Sequence, residues 1–314
     1  MARIRGAALA LVIVTVCGLL SACGPDFTGL RLRVAAGTRG GVYYQLAQPL
    51  ASAWAKQLNI EQPEVKMTRG SPDNLAQLKD GKADVAFSAA DVAVNSAAQP
   101  AGRPKLVALA RIYDDYLHVV VRKDSPITAV SMLRGRKVAI GSPESGVEVI
   151  AKQLLTVALG AYDTADARNL GLQDALDALG RNEIEAVFWS GGLPTGAISK
   201  QNATVPLRLL DIADVLPAML QANGVYRTAT IPASTYQLAD GKPVTTLVVP
   251  NFLVVSSAMP DDVAEALVRG LFKAQPELVK ANRAALSIDI RPAIETAPLE
   301  LHPGALRYYR GIKT

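Results

Sequence analysis

The sequence predicts an α/β fold in which short buried strands alternate with amphipathic helices around mainly parallel sheets. Two observations lead to this prediction. Short apolar runs recur along the chain, for example at residues 32–36, 84–88 and 137–140. Turns containing Gly, Ser or Asp follow these runs, and two of the turns lead into apolar residues at helical spacing.

The first unit of this pattern is at residues 32–58. Residues 32–36 predict a strand and the glycines at 37–41 predict a turn, while Leu46, Leu50 and Trp54 share one face of a predicted helix. Ser71 to Asn74 is typical of a helix start, and Ala90-Asp91 of a turn. Further predicted strands of this half are at residues 64–68, 84–88, 106–110 and 117–121. Between the last two, the acid pair Asp114-Asp115 predicts a solvated turn.

The second half repeats the order. A strand at 137–140 leads through a Gly- and Ser-rich turn at 141–146 into an apolar stripe that begins at Val147. A short helix is predicted at 174–179 and a strand at 185–189 that ends at Ser190-Gly191-Gly192. The remaining predicted elements are strands at 207–210 and 246–255, a helix that begins at 260–262 and runs past Phe272, and a helix at 305–309.

The first 22 residues predict an export signal. Arg3 and Arg5 precede an apolar run at residues 7–20, which is shorter than the ~20 residues of a membrane span. The run ends in LSAC at 20–23, a bacterial lipobox pattern that predicts acylation of Cys23; an ordinary export signal with an incidental Cys is the alternative. Acyl chains such as palmitate would hold the domain, behind a tether at 23–30, on the outer face of the cytoplasmic membrane.

Composition argues against several classes of function. The formal net charge of +5 is too small and dispersed to indicate nucleic-acid binding, and Cys17 and Cys23 are the only cysteines. No metal-binding Cys/His cluster, nucleotide motif or Ser-His-Asp set stands out, so we predict no metal, no cofactor and no catalytic residue. His118 lies in an apolar run and is interpreted as a core or interlobe histidine.

Four loops lead from predicted strands into helices and contain Gly, Ser, Thr or Asn: residues 37–41, 71–74, 141–146 and 190–195. Helix N-termini leave N–H groups unpaired, and open α/β sheets bind ligands at the carboxyl ends of their strands. Each loop by itself fits an ordinary turn or N-cap. Four together favour a ligand-binding cleft.

Three of these loops, at 37–41, 71–74 and 141–146, and other segments in the same order resemble the TAXI family, the solute receptors of one class of tripartite ATP-independent periplasmic (TRAP) transporters. The matching segments are GTRGGVYY at 37–44, GSPDN at 70–74, GKADVAF at 81–87, LRGRKV at 133–138, GSPESG at 141–146 and HPGA at 302–305. The resemblance implies a type II periplasmic-binding fold, with two α/β lobes that close on a small acidic solute, a dicarboxylate or a glutamate-like acid. It further implies lobe one at residues 31–117 and 257–314, lobe two at 118–256, and a TRAP permease as partner. We expect the receptor to be a monomer.

The resemblance also implies which residues contact the solute. Those of lobe one are Thr38, Arg39, Gly40, Gly41, Tyr43, Ser71 and Asn74; those of lobe two are Ser142, Ser145, Gly146, Trp189 and Ser190. Arg39 and Arg69 are the candidate partners of a carboxylate.

The chain departs from the family pattern at several of these places. Arg39 replaces a small residue, Ala89 stands where the family has a polar residue, and Val147 where Thr is common. We expect Arg39 to compensate for Ala89. The alternatives left open are a sensor with the same lobes that docks on a membrane histidine kinase, and an exported α/β enzyme.

Overall fold

The computed structural model describes residues 25–97, 102–238 and 241–312. The predicted export signal and the predicted acylation of Cys23 lie outside the described residues. No helix in the described part of the chain is long and apolar enough to cross a membrane.

Strands and helices alternate along most of the chain. The strands are β1 (Arg33–Ala35), β2 (Glu64–Lys66), β3 (Val85–Ala89), β4 (Leu106–Arg122), β5 (Lys137–Ala139), β6 (Asp166–Arg168), β7 (Ala186–Gly191), β8 (Leu207–Leu209), β9 (Arg227–Ile231) and β10 (Val244–Ser256). The helices are α1 (Val42–Leu58), α2 (Ser71–Lys79), α3 (Ala90–Ala97), α4 (Gly146–Leu159), α5 (Leu172–Gly180), α6 (Gly196–Asn202), α7 (Leu216–Ala222), α8 (Asp261–Ala281), α9 (Ile290–Ala293) and α10 (Pro303–Gly311).

The strands form one sheet in the order β2-β1-β3-β10-β4-β7-β5-β6, with β8 beside β4 and β9 beside β10. Pairing is parallel around β1, which lies between β2 and β3, and around β5, which lies between β6 and β7. The two central strands, β4 and β10, are antiparallel to each other and to their other neighbours. The α/β class predicted from the alternation is therefore confirmed, in a mixed sheet that has parallel strands on both sides of an antiparallel central pair.

Two strand sets share this central pair. β1–β3 make the first strand set, in which β3 pairs with residues 251–255 of β10. β5–β9 join at residues 116–122 of β4 and residues 244–248 of β10 and make the second. The predicted lobe boundaries, with the second at residues 256/257, stay a prediction; β10 pairs with strands of both sets.

Apolar helix faces cover both sides of the sheet. α1, α8 and α10 pack on one face of the first strand set, where Trp54 is fully buried and donates a hydrogen bond from Nε1 to the Leu267 carbonyl oxygen at 3.0 Å. α2 and α3 cover its other face, and their core continues into the one under α4 and α7. α5 and α6 pack on the remaining face of the second set.

Two predictions of turns are wrong. The two strands expected at 106–110 and 117–121 are one strand, β4, so that Asp114-Asp115 is not a turn. The apolar run is interrupted because β4 itself contains these two acids. Asp115 is buried and lines a cleft, and Asp114 pairs with Arg111 on a half-buried face. Ala90-Asp91 begins α3 and is buried, because Asp91 accepts hydrogen bonds within the protein. His118 is buried as predicted, with hydrogen bonds to the Tyr116 carbonyl oxygen and the Tyr236 hydroxyl, each at 2.8 Å.

Candidate functional site

A cleft with a cavity volume of about 110 Å³, partly open to solvent, lies between the two strand sets. Its walls are the loops that leave β1, β2 and β5, together with the ends of β3 and β7 and the middle of β4. These loops follow the carboxyl ends of parallel strands, which is where open α/β sheets place their ligand sites. The cleft is therefore the candidate site.

Three helices begin at this cleft. α1 starts after Gly41 and α2 after Gly70, and neither glycine provides a side chain to cap the first N–H groups. α4 starts after Ser145, whose hydroxyl oxygen accepts a hydrogen bond from the Glu148 N–H at 3.1 Å. Gly41, Gly70, Ser145 and Gly146 all line the cleft. The first turn of each helix thus presents backbone donors and a positive dipole end to a bound anion.

Most of the residues that the resemblance assigned to the solute line this cleft. They are Thr38, Gly41, Tyr43, Ser71, Ser142, Ser145, Gly146, Trp189 and Ser190. Arg69 lines it as well. Lining a cleft does not test contact with a solute, so the contacts themselves stay a prediction.

Arg39, Gly40 and Asn74 do not line the cleft. A turn closed by the Gly41 N–H and the Thr38 carbonyl oxygen, 2.9 Å apart, places Arg39 and Gly40 at its exposed tip. Asn74 is fully buried behind the wall, where it donates to the Phe87 carbonyl oxygen at 2.8 Å and accepts from Thr68. Arg39 is exposed and outside the cleft lining, and its expected contact with a carboxylate and its expected compensation for Ala89 stay predictions.

The two sides of the cleft touch at its mouth. Arg69, from the loop before α2, pairs with Glu144 of the loop before α4, with Nη2 2.7 Å from Oε2. Its guanidinium also pairs with Asp73 at 3.3 Å. A Cβ added at Gly70 would lie 3.5 Å from the Ser145 Cα, and one at Gly146 would lie 3.4 Å from the Ser71 hydroxyl oxygen. Both distances are ordinary van der Waals contacts, so the two sides approach each other closely without a clash.

Tyr43 and Ser71 connect the first strand set to β10. The Tyr43 hydroxyl lies 3.2 Å from the Ser71 hydroxyl and donates a short hydrogen bond to Oδ1 of Asn251. Ser71 in turn accepts from the Ala89 N–H at 3.0 Å. The Tyr43 ring packs on Phe87, with ring centroids 5.4 Å apart. Burial raises the pKa of the Tyr43 phenol well above its usual value, so it stays protonated and acts as a donor.

Two carboxyl groups line the inner part of the cleft, and the sequence analysis assigned a site role to neither. Asp91 is 1% exposed and accepts hydrogen bonds from the Tyr226 hydroxyl and the Val92 N–H, each at 2.8 Å. Asp115 is 8% exposed, and its Oδ1 is a buried atom without a hydrogen-bond partner. Burial raises the pKa of both, that of Asp115 to about 7. Both were missed in the sequence analysis because they were placed within predicted turns.

A model of the NMT1-like family matches residues 34–312. The chain belongs to the NMT1-like family. Solved structures of similar fold support the type II periplasmic-binding architecture. A protein described as a periplasmic transporter is 16% identical, with a TM-score of 0.55, and the match covers 91% of this chain and 94% of that one.

Two further structures are similar to this NMT1-like chain. XAC2383 from Xanthomonas citri, bound to ATP, is 16% identical over 90% of this chain and 95% of that one, with a TM-score of 0.53. The GluR0 ligand-binding core in complex with L-glutamate is 14% identical over 83% of this chain and 100% of that one, with a TM-score of 0.52. At these identities the likeness is one of fold.

The described part of this family member contains no group of three or more His, Cys, Asp or Glu side chains placed to hold a metal ion. What the cleft offers is helix N-termini and hydroxyl groups near its mouth and carboxyl groups inside. This arrangement can hold a small polar molecule by hydrogen bonds and charge.

Proposed function

We propose that this protein is an extracytoplasmic receptor that captures a small carboxylate-bearing solute between two lobes and delivers it to a TRAP-type permease. The observation that supports this most is the convergence of the N-termini of α1, α2 and α4 on one cleft. Because each N-terminus carries unpaired N–H groups and a partial positive charge, the three together favour a carboxylate.

The solute is the testable part of this proposal. A compound that binds only the folded protein at a hundredfold excess over Kd stabilises it by ~2.7 kcal/mol. We expect a rise in melting temperature with at least one compound from a set of dicarboxylates, amino acids and keto acids. Ser142→Trp, which fills the cleft, should abolish the rise, whereas Ser234→Trp on the exposed surface should not. No rise with any compound would count against the proposal.

Closure of the lobes is a second part. The contact between Arg69 and Glu144 across the mouth supports a closed arrangement of the two strand sets. We expect small-angle scattering to give a larger radius of gyration without the solute than with it, since hinge closure is a common response of two-lobed proteins to ligand. A radius that does not change on confirmed binding would reject a clamp.

Membrane attachment and the permease make up the remainder. The lipobox at 20–23 and the resemblance to TRAP receptors support them. Cys23→Ala should release the protein from the membrane fraction, and intact-mass analysis of wild type should show an acylated Cys23 at the first position. Solute uptake that needs both this protein and a TRAP permease in the same vesicles tests the partnership; uptake by the permease without the receptor would argue against it.

A further inference from the structure

We propose that Asp115 binds an ammonium group of the solute, so that the cleft selects small molecules that carry a protonated amine as well as a carboxylate. This inference rests on the proposed function and adds a class of solute to it. It starts from the polar atoms of the cleft that the protein itself does not satisfy.

Asp115 is the unsatisfied group. In the described part of the chain, two buried side-chain atoms lack a hydrogen-bond partner, Oδ1 of Asp115 and Nδ2 of Asn251. Asn251 is fully buried, and its Oδ1 already accepts from Tyr43. Its Nδ2 does not reach Asp115 with hydrogen-bond geometry, although the Asn251 amide lies close enough to lower the carboxyl pKa in part. A buried polar atom without a partner costs free energy, so a bound group that satisfies Asp115 is favoured.

The charges around Asp115 are not balanced by the protein. Arg69 is the one Lys, Arg or His among the residues that line the cleft, and it already pairs with Asp73 and Glu144 at the mouth. The other carboxyl group, Asp91, accepts from Tyr226 and Val92 and has its own donors. A second carboxylate brought next to Asp115 would add a negative charge without a counter-charge. A cation would supply the missing one.

The surroundings suit an ammonium group. Tyr113 is nearly buried, lines the same cleft, and its ring lies 6.3 Å from that of Tyr43. Aromatic faces attract cations, and an ammonium group has three N–H donors to share among a carboxylate and neighbouring acceptors. The three helix N-termini line the same cleft as Asp115, so a small molecule bound there can present its carboxylate to them and its ammonium group to Asp115.

Matched pairs of compounds test the proposal. Each pair differs by one amine: glutamate and glutarate, alanine and propionate, and γ-aminobutyrate and butyrate. Calorimetry on the purified protein should show that in at least one pair the amine-bearing member binds about 10- to 150-fold more tightly, which is the range for a hydrogen bond to a charged group. In Asp115→Asn the difference should shrink to less than threefold. Asp114→Asn, a change of the neighbouring carboxylate outside the cleft, should keep it.

The outcomes separate this proposal from the broader one. Acids without an amine that bind as tightly as their partners would overturn the role of Asp115 and leave the receptor function intact. An amine preference that survives in Asp115→Asn would also overturn it, because the cation would then bind elsewhere. If no compound of the set and no other small carboxylate binds wild type, both proposals fail. Circular dichroism of Asp115→Asn confirms that the variant is folded.

Discussion

Replacing Asp115 by Asn should make the empty protein more stable at neutral and alkaline pH. Burial raises the pKa of the folded-state carboxyl from 3.8 to about 7, with smaller contributions from nearby Asp114 and Asp91, and Asn251 lowers it in part. Ionised Asp115 therefore destabilises the fold. Because one pKa unit corresponds to 1.36 kcal/mol, a difference of about 3 units sets an upper bound of about 4 kcal/mol on this destabilisation.

The sign of the pH dependence follows from the raised pKa. Below about pH 4 the carboxyl is protonated in both the folded and the unfolded state, so its ionisation does not lower the free energy of unfolding. As the pH rises toward 7, the unfolded chain loses the proton while the folded chain keeps it, and stability falls. Above pH 7 the loss is complete. Tyr43 and Tyr113, two further titratable side chains that act electrostatically with Asp115, stay protonated throughout because burial raises the pKa of both phenols.

Urea unfolding of wild type and Asp115→Asn at steps from pH 4 to pH 8 measures the effect. The variant should gain in free energy of unfolding, relative to wild type, progressively from pH 4 to pH 7 and level off above. Asp114→Asn serves as control: it removes only the smaller contribution of Asp114 to the raised pKa of Asp115, so it should not reproduce the gain between pH 4 and pH 7. A gain of the same size at every pH would refute the reasoning, because a change of packing alone does not titrate.

Three other perturbations give separate checks. Gly141→Ala should lower the free energy of unfolding by about 1–3 kcal/mol more than Gly135→Ala. Both residues have positive φ, but only at 141 would the new Cβ meet another side chain, that of Val147 at 2.7 Å. Thermal melts that rank the two variants equally would contradict this. Glu144→Gln should open the empty cleft, raise the radius of gyration of the protein, and change the free energy of unfolding by under ~1 kcal/mol. Glu183→Gln, which removes a surface ion pair of similar exposure, should leave the radius of gyration unchanged. Burial lowers the pKa of His118 to about 4. The stability that neutral His118 contributes above pH 6.5, about 3 kcal/mol at most, is therefore lost as the pH falls toward 4. Urea titrations of His118→Gln should not show this loss.

The sequence predicted the parts of the fold in which burial and local geometry agree. The unit at residues 32–58 is an example, since Leu46, Leu50 and Trp54 are spaced for one helix face and all three are buried. Strands β6 and β9 went unpredicted for the opposite reason. Their residues are mostly exposed or half-buried at the side of the sheet, so they lack the apolar run by which a strand is recognised.

The candidate site was predicted at its loops and missed inside. Gly, Ser and Thr at strand ends are a local signal, and most of the residues chosen on it line the cleft. The two carboxyl groups give no such signal, because adjacent polar residues such as Asp114-Asp115 are usual on solvated turns. Only the pairing of β4 with β10, which joins distant segments, places Asp115 in the cleft.

The shared central strands also have a consequence for the order of folding. β3 finds its antiparallel neighbour only in β10, and α8 and α10, which cover the first strand set, come after it. The second strand set needs no segment beyond residue 256. Contacts between distant segments form slowly because the intervening chain must first be ordered. We expect the second strand set to form first, and the beginning of the chain, although made first, to wait for its end.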